Sequence, residues 1–227
     1  MLPAALWWMV SAIVGSAAAY WFSPGRVHRR TLRDAKPCTI DSFPNGGYKR
    51  IVGRAVVEEQ RQLIAPLSGR PCAAYEVLVQ GLDAATDERW DTVAYEMQAV
   101  PFVIEDDGGR ARVDPAWAKL LITLDRNRRS GGTDPATPAE VAFLARHGEH
   151  AKTLTFNRNL RYREGVLEHG ELVSVLGRGT VSYEDGAGTR PHVGGYRAHA
   201  ERVRRVDIAA TQSEPLLITD DPTVTGA

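Results

Sequence analysis

The chain has 227 residues with 28 basic and 28 acidic side chains, and therefore no formal net charge. The charge is uneven, because residues 1–36 carry a net charge of +4 and residues 37–227 a net charge of −4. That balance disfavours a nucleic-acid partner, since nucleic-acid binding relies on Lys and Arg to neutralise phosphates. With only two cysteines, and no histidines at the spacing that would complete a mixed site, we expect no metal and no cofactor.

The first apolar stretch, LPAALWWMVSAIVGSAAAYWF at residues 2–22, contains no charged side chain. As a helix rising about 1.5 Å per residue it would span roughly 30 Å, the thickness of the hydrocarbon core of a bilayer. Residues 1–25 are therefore predicted to be a transmembrane anchor. No Lys or Arg precedes it, and five basic residues follow: Arg26, Arg29, Arg30, Arg33 and Lys36. The positive-inside rule then predicts a single-pass protein of the plasma membrane with its N-terminus outside and its domain in the cytoplasm.

A cleaved signal peptide is the competing interpretation, because Ala17-Ala18-Ala19 offers a small-residue cleavage site. The missing positive n-region argues against it. If the segment were cleaved, the domain would be exported, and Cys38 could then pair with Cys72 as a disulfide. The basic cluster after the anchor has two interpretations as well: contact with anionic lipid headgroups, or a topology signal alone.

Residues 37–48 mix Pro, Gly, Asn and Ser without periodicity, and together with the preceding basic cluster, residues 26–48 are predicted to be a basic juxtamembrane linker. Alternation of apolar and polar residues then predicts strands over residues 49–57, 72–80 and 90–100. Residues 65–72, APLSGRPC, have turn chemistry throughout.

Residues 101–115, PFVIEDDGGRARVDP, predict a β-hairpin, because the sequence Asp107-Gly108 suits the positive φ angles of a tight turn. Residues 116–125 are ambiguous between a helical turn and a strand. Residues 126–138 are interpreted as a flexible loop with a local basic cluster.

A short helix is predicted after Thr137, where Thr-Pro-Ala-Glu forms a capping box with proline at the first helical position. Val141, Leu144 and Ala145 would form its apolar stripe, and Gly148 would end it.

Strands are expected to resume at residue 152, with Leu154 and Phe156, then Leu160 and Tyr162, alternating with polar residues. Residues 172–176 predict a buried strand, residues 183–195 a Gly-rich turn region, and residues 197–210 and 216–219 the last strands. We thus predict a mainly β domain (α+β at most) over residues 49–221, a small barrel or sandwich with one or two short helices, and a disordered tail over residues 222–227.

Several chemical groupings are better explained by structure than by catalysis. His147 and His150 could ligate a metal from one helix face, but histidines at a helix C-terminus also interact well with its dipole. Glu105, Asp106 and Asp107 suit a hairpin turn. A triad of Ser68, a histidine and Asp114 is not selected by any spacing, and Cys72 fits a small buried hydrophobe.

Several segments together resemble the GIDE-type domain: IAPLSGRPCAAYEVLV, the later Trp90, PFVIEDDGGRARVDP, LRYREGVLEHGELVSVLGRG and the terminal PLLITDD. That domain occurs in many bacteria and is the membrane-side domain of mitochondrial membrane-anchored E3 ubiquitin ligases. The resemblance covers residues 49–221. Fourteen positions fall on the family's pattern, and their types indicate turn and core roles: Pro66, Ser68, Gly69, Pro71, Cys72, Pro101, Phe102, Asp106, Gly109, Asp114, Pro115, Glu164, Gly170 and Gly177.

The resemblance implies a β-rich domain that works beside a membrane in sensing or partner binding. The ligases also carry a RING, and relatives commonly have a second transmembrane helix, whereas this sequence shows neither pattern after Leu216. We therefore expect a membrane-anchored, non-catalytic domain that binds an unknown protein or ligand partner or the bilayer surface. The alternatives are a ubiquitin-transferase component acting with a separate RING protein, and an exported disulfide-bonded binding domain.

Overall fold

The structure, a computed structural model, describes residues 24–82, 89–152, 157–185 and 202–226. Its described strands are β1 Tyr48–Val56, β2 Leu63–Ile64, β3 Pro71–Cys72, β4 Ala74–Leu82, β5 Trp90–Ala99, β6 Phe102–Asp106, β7 Gly109–Val113, β8 Lys119–Leu121, β9 Arg126–Ser130, β10 Leu160–Leu167, β11 Leu172–Asp185, β12 Arg202–Ala209 and β13 Leu217–Thr219. Its described helices are α1 Pro24–Asp34, α2 Pro138–Arg146 and α3 Pro222–Thr225, with a 3₁₀ turn at Glu59–Arg61. The prediction of a mainly β chain with few short helices is confirmed.

Five strands close into a small barrel. Strand β1 pairs with β6, β6 with β7, β7 with β12, β12 with β11, and β11 returns to β1. Only the β7–β12 pair in this ring is parallel. The inward residues are aliphatic and almost fully buried, including Ile51, Ile104, Val113, Val175 and Ile208. The predicted hairpin over residues 101–115 is confirmed as β6 and β7, which are two of the five strands of this barrel.

A second, four-stranded antiparallel sheet has the order β5-β4-β10-β9. Its inner face holds Val77 and Val79 and packs against Phe143 and Leu144 of α2. The capping box of α2 is confirmed, since Thr137 Oγ1 accepts from the N–H of Glu140 and the Glu140 carboxylate accepts from the N–H of Thr137. The predicted stripe is right at Leu144 but wrong at Val141, which is 47% exposed, and at Ala145, which is also exposed, because the helix turns Phe143 inward instead.

The segment that looked like a linker, residues 26–48, is part of the fold. Helix α1 buries Leu32 completely against Leu176, Leu217 and Val224. Further along, Phe43 is buried in the barrel core, where a Cβ at Gly179 would lie 2.3 Å from the Phe43 ring. Single apolar residues in an aperiodic segment leave no periodic signal, although each of them fills a gap at the edge of a core.

Two other segments also differ from the prediction. Residues 126–130 form β9, which pairs along β10, whereas the abundance of arginine suggested a flexible loop. In the last residues, interpreted as a disordered tail, the Asp221 carboxylate caps α3 and Val224 is buried. The ambiguous stretch after Pro115 becomes β8, which runs parallel to β13.

The apolar run at residues 2–22 lies outside the described residues, and so do Leu154, Phe156 and residues 186–195 of the predicted turn region. Within the part of the chain that the structure describes, no helix has both the length and the apolar character needed to cross a bilayer.

Candidate binding surface

Six of the family-pattern positions meet at one loop. Residues 65–72 close on themselves through a hydrogen bond from the N–H of Gly69 to the Ala65 carbonyl (2.9 Å), with Gly69 at φ +74°. Glu164 of β10 holds this loop from below: its side chain is fully buried, and Oε1 accepts from the N–H of Leu67 at 2.7 Å. The other carboxylate oxygen, Oε2, is buried without a hydrogen-bond partner.

The loop does not activate a nucleophile. Burial is the largest influence on the Cys72 thiol and raises its pKa to about 11, so the thiol stays protonated at neutral pH. Its Sγ donates to the Leu63 carbonyl at 3.7 Å. Ser68 Oγ accepts from the backbone N–H and the Nε of Arg70, both at 3.3 Å. The geometry therefore gives Ser68 and Cys72 roles in holding the loop.

Arg70, which the sequence analysis did not single out, joins the same loop to Asp125 and Glu168. Its guanidinium donates to both oxygens of Asp125, at 2.8 and 2.9 Å, and to Glu168 at 3.0 Å. The hydrogen bonds from Arg70 are the largest influence on the Asp125 carboxyl and lower its pKa.

The family-pattern residues of the barrel stabilise the turns in which they lie. At the hairpin, Asp106 accepts from the N–H of Gly108 at 2.7 Å and from the N–H of Ile40 at 2.9 Å, and so joins the turn to the segment after α1. The next residue of the turn, Gly109, adopts φ +135°. After β7, Asp114 accepts from the N–H of Ala116 at 3.1 Å. In the acidic run at the hairpin, the Asp106 bonds are thus turn chemistry, and Glu105 pairs with Arg110 across the hairpin.

The remaining positions are packing and turn residues. Phe102 is buried in the barrel core, and Gly170 adopts φ +85° in the β10–β11 turn. A Cβ at Gly177 would lie 2.6 Å from Leu216 and 2.7 Å from Ile208. Pro66 and Pro71 lie within the loop described above, and Pro101 and Pro115 flank the strands of the hairpin. The Ser68 and Asp114 of the hypothetical triad thus lie in different parts of the fold, the loop between β2 and β3 and the end of β7.

The two histidines at the end of α2 are not brought together as ligands. His147 caps the helix, and its Nε2 lies 2.9 Å from Oε2 of Glu96, while Oε1 of the same carboxylate accepts from the hydroxyl of Tyr75. His150 is exposed, and its carbonyl accepts from Arg158. Across the described residues, no three His, Cys, Asp or Glu side chains are arranged to hold a metal ion.

The two cysteines are free thiols in the structure. Cys38 packs beside the barrel core, whereas Cys72 is buried in the core between the four-stranded sheet and α2. Cys38 and Cys72, both within the described residues, are therefore not joined by the disulfide that the sequence analysis considered.

The outer face of the four-stranded sheet, which sequence reasoning missed, carries an unusual cluster. The guanidinium carbons of Arg161 and Arg129 lie 4.7 and 5.3 Å from the centre of the Trp90 ring, a cation–π distance. Arg161 and Arg163 both donate to Oε1 of Gln80, at 2.6 and 2.8 Å. We call these five residues the arginine face. The alternation of Arg161 and Arg163 in β10 was a usable signal, but Arg129 stood in a segment interpreted as a loop.

The charges of the arginine face are poorly neutralised within the protein. Among the ion pairs of the described residues, none joins Arg129, Arg161 or Arg163 to a carboxylate. Burial is the largest influence on Arg161 and lowers its pKa, and the like charges of Arg163 and Arg129 lower it further. The Nε atoms of Arg161 and Arg163 are buried without a partner. Such a surface attracts anions.

A groove on the outside of the barrel also contains arginines, but most of them are engaged. It has a volume of about 470 Å³ and lies over β6, β7 and β12. Arg61 pairs with Glu58 at 3.1 Å, Arg110 pairs with Glu105, and Arg204 donates to the carbonyl oxygens of Ile40 and Phe43. This groove is a weaker candidate for an anion site than the arginine face.

Comparison with known protein families identifies one match: the GIDE family, described as E3 ubiquitin ligase, over residues 79–188. The match begins in β4 and ends just after β11, so it includes β10, Glu164 and all of the arginine face. No curated protein and no solved structure matches the chain. The resemblance to the GIDE-type domain is thereby confirmed over residues 79–188.

Proposed function

We propose that this chain is a single-pass membrane protein whose GIDE-type domain is held against the cytoplasmic surface of the plasma membrane and binds there without catalysis. The observation that carries the proposal is the packing of α1, which begins at Pro24, directly after the uncharged run at residues 2–22. A flexible linker would let the domain move freely, whereas a packed helix couples the anchor to the domain.

Three contacts hold α1 in place. Leu32 is completely buried, and its carbonyl accepts from Nη1 of the buried Arg50 at 2.7 Å, close to the C-terminus of the helix, where cations are stabilising. Arg29 pairs with Asp221 at 3.2 Å, and Arg33 donates to Thr223 at 3.4 Å. Two arginines of the juxtamembrane cluster therefore bind α3, and these contacts support a fixed attachment of α1 to the domain.

The non-catalytic part of the proposal is supported by the family-pattern residues that could have done chemistry. The Cys72 thiol is protonated at neutral pH, and the Ser68 hydroxyl accepts a hydrogen bond from the N–H of Arg70. The carboxylates of Asp106 and Asp114 accept from backbone N–H groups of their own turns. Each polar side chain is already engaged in holding a loop. Binding is the activity that this arrangement favours.

Topology is the decisive test. Cys38 is a poor reporter because it is half-buried, and burial raises the pKa of its thiol. We would instead label Val141→Cys, exposed on α2, in a Cys38→Ser background, since the buried Cys72 should not react in the folded protein. Resistance of the chain to alkaline extraction, with labelling only after the cells are permeabilised, is the expected result. Labelling in intact cells, or release by alkali, would refute the proposal.

A ubiquitin-transferase-related role is the second candidate, because the matching family is described as E3 ubiquitin ligase. It requires the chain to associate with a RING protein or a ubiquitin-charged conjugating enzyme. Crosslinking followed by affinity purification of the full chain would capture such a partner. Recovery of the full chain without either partner would count against this role and leave the binding function standing.

A further inference from the structure

One end of the arginine face, at Arg163, lies near α1. Burial is the largest influence on Glu76 of β4 and raises its pKa, while Arg29 of α1 and Arg163 of the arginine face both act to lower it. Glu76 is thus within electrostatic reach of both arginines. Since Arg29 is the sixth residue of α1, it lies only about 8 Å along that helix from Pro24, where an anchor would enter the domain.

Exposed apolar side chains accompany these arginines. Tyr95 and Met97 of β5 are 49% and 36% exposed, and Met97 pairs across the sheet with Glu76. The neighbouring loop presents Trp117, which is 90% exposed at φ +62°, and the residues on either side of it line the same shallow groove as Met97. Trp and Tyr beside Arg are the side chains that favour the boundary between headgroups and acyl chains.

We propose that the arginine face is a docking surface for anionic lipid headgroups, with Arg129, Arg161 and Arg163 binding headgroup phosphates and Trp117 entering the interface. Phosphate oxygens supply charged acceptors, whereas the acceptor that Arg161 and Arg163 share in the protein, Oε1 of Gln80, is neutral. A bilayer is the favoured source of those phosphates because the Arg163 end of the face lies near α1 and exposed aromatic side chains accompany it. This inference rests on the proposed anchoring, and it would convert a tethered domain into one that senses the charge of the membrane beneath it.

The test uses the full chain in nanodiscs of neutral phosphatidylcholine, with or without anionic phosphatidylglycerol. A bimane dye is attached at Thr92→Cys, an exposed residue that pairs with Gln80 of the arginine face, and quenched by lipids labelled at the headgroup. The control dye is at Val141→Cys on α2, which covers the opposite face of the sheet. Both variants carry Cys38→Ser.

We expect quenching at position 92 that requires anionic lipid and falls with salt, and little quenching at position 141. The double variant Arg129→Gln and Arg161→Gln should lower the docking equilibrium constant about 30-fold, since each charge near such a surface contributes about fivefold. The matched control, Arg110→Gln with Arg112→Gln, removes the same charge from the barrel groove and should leave docking unchanged. Trp117→Ala should weaken docking in the anionic discs.

Equal quenching at both positions, or equal loss in both double variants, would overturn the inference. Quenching that inorganic phosphate at millimolar concentration abolishes would assign the site to free phosphate instead. Tight binding of a single-stranded oligonucleotide at the same arginines, without any response to anionic lipid, would also overturn it. Co-elution of the chain with neutral nanodiscs reports the anchor alone, so failure of the anchoring is distinguishable from failure of the docking surface.

Discussion

Glu164 and Leu67 are 97 residues apart in the chain, yet the Glu164 carboxylate accepts the backbone N–H of Leu67 at 2.7 Å inside the fold. This bond ties the turn-rich loop before β3 to the centre of β10, and through β10 to the arginine face on the other side of the same strand. The carboxylate of this family-pattern residue thus supports a loop.

Substitution of Glu164 tests that role. In Glu164→Leu the N–H of Leu67 loses its acceptor in a buried place, and we expect the free energy of unfolding to fall by about 1–3 kcal/mol. Glu164→Gln keeps the accepting oxygen and should lose less than about 1 kcal/mol. Urea denaturation of the full chain in mild detergent measures both. Equal losses in the two variants would contradict the assignment of Oε1 as the supporting atom.

Glu140 is the second buried carboxylate with a structural task. It completes the capping box of α2 and forms an ion pair with Arg128 of β9, and its side chain is fully buried. We expect Glu140→Ala to lower the free energy of unfolding by about 1.5–3 kcal/mol, because the N–H of Thr137 loses its acceptor and Arg128 loses its buried carboxylate partner while keeping Asp134. Thr137→Ala removes only the other half of the cap and should lower it by about 1 kcal/mol. Similar losses would indicate that the cap matters more than the ion pair.

Local sequence patterns predicted the elements whose signals lie within a few residues. The capping box at Thr137, the turn at Asp107-Gly108 and the alternation in β1 and β4 each gave an element of the right type. The assignment of the family-pattern glycines to turns also followed from their residue type, as the positive φ angles of Gly69 and Gly170 show. Such features need no knowledge of partners distant in the chain.

The parts that could not be predicted depend on long-range pairing. Arg126–Ser130 becomes a strand because β10 offers it an edge, and only then do Arg129 and Arg161 stand side by side over Trp90. Leu32 and Phe43 are single apolar residues whose burial sites are built by β11, β12 and α3. Neither the arginine face nor the docking of α1 is therefore visible in any short window of sequence.

The attachment of α1 can be weakened by one substitution. Leu32→Ala removes most of a completely buried side chain, and we expect a loss of about 2–5 kcal/mol in the free energy of unfolding, at least locally. Val27→Ala, on the exposed side of the same helix, should change it by less than about 0.5 kcal/mol. Limited proteolysis between residues 33 and 48 would report the detachment. Unchanged protection in Leu32→Ala would show that α1 is held by its arginines alone.

Asp220 makes the free energy of unfolding depend on pH. Its carboxylate is 8% exposed and accepts from the N–H and hydroxyl of Thr123 at 2.7 and 2.9 Å. Burial is the largest influence and raises its pKa above the ordinary value of 3.8, although the Thr123 bonds oppose that shift. The folded protein therefore holds this proton more tightly than the unfolded chain does. The resulting stabilisation is complete below the unfolded pKa and is lost as the pH rises through the folded value.

Asp220→Asn should consequently stabilise the protein at pH 7, because the amide keeps an oxygen for Thr123 and carries no buried charge. The gain in melting temperature should shrink as the pH approaches 4 and the wild-type carboxyl takes up its proton. Asp125→Asn should instead destabilise the protein at pH 7, since Arg70 lowers the pKa of Asp125, and the resulting stabilisation is complete above the unfolded pKa and is lost as the pH falls through the folded value. Melting temperatures of both variants from pH 3 to pH 8 test whether the two substitutions change the stability in opposite directions. A destabilised Asp220→Asn at pH 7 would mean that the Thr123 bonds to the charged carboxylate outweigh the effect of its burial.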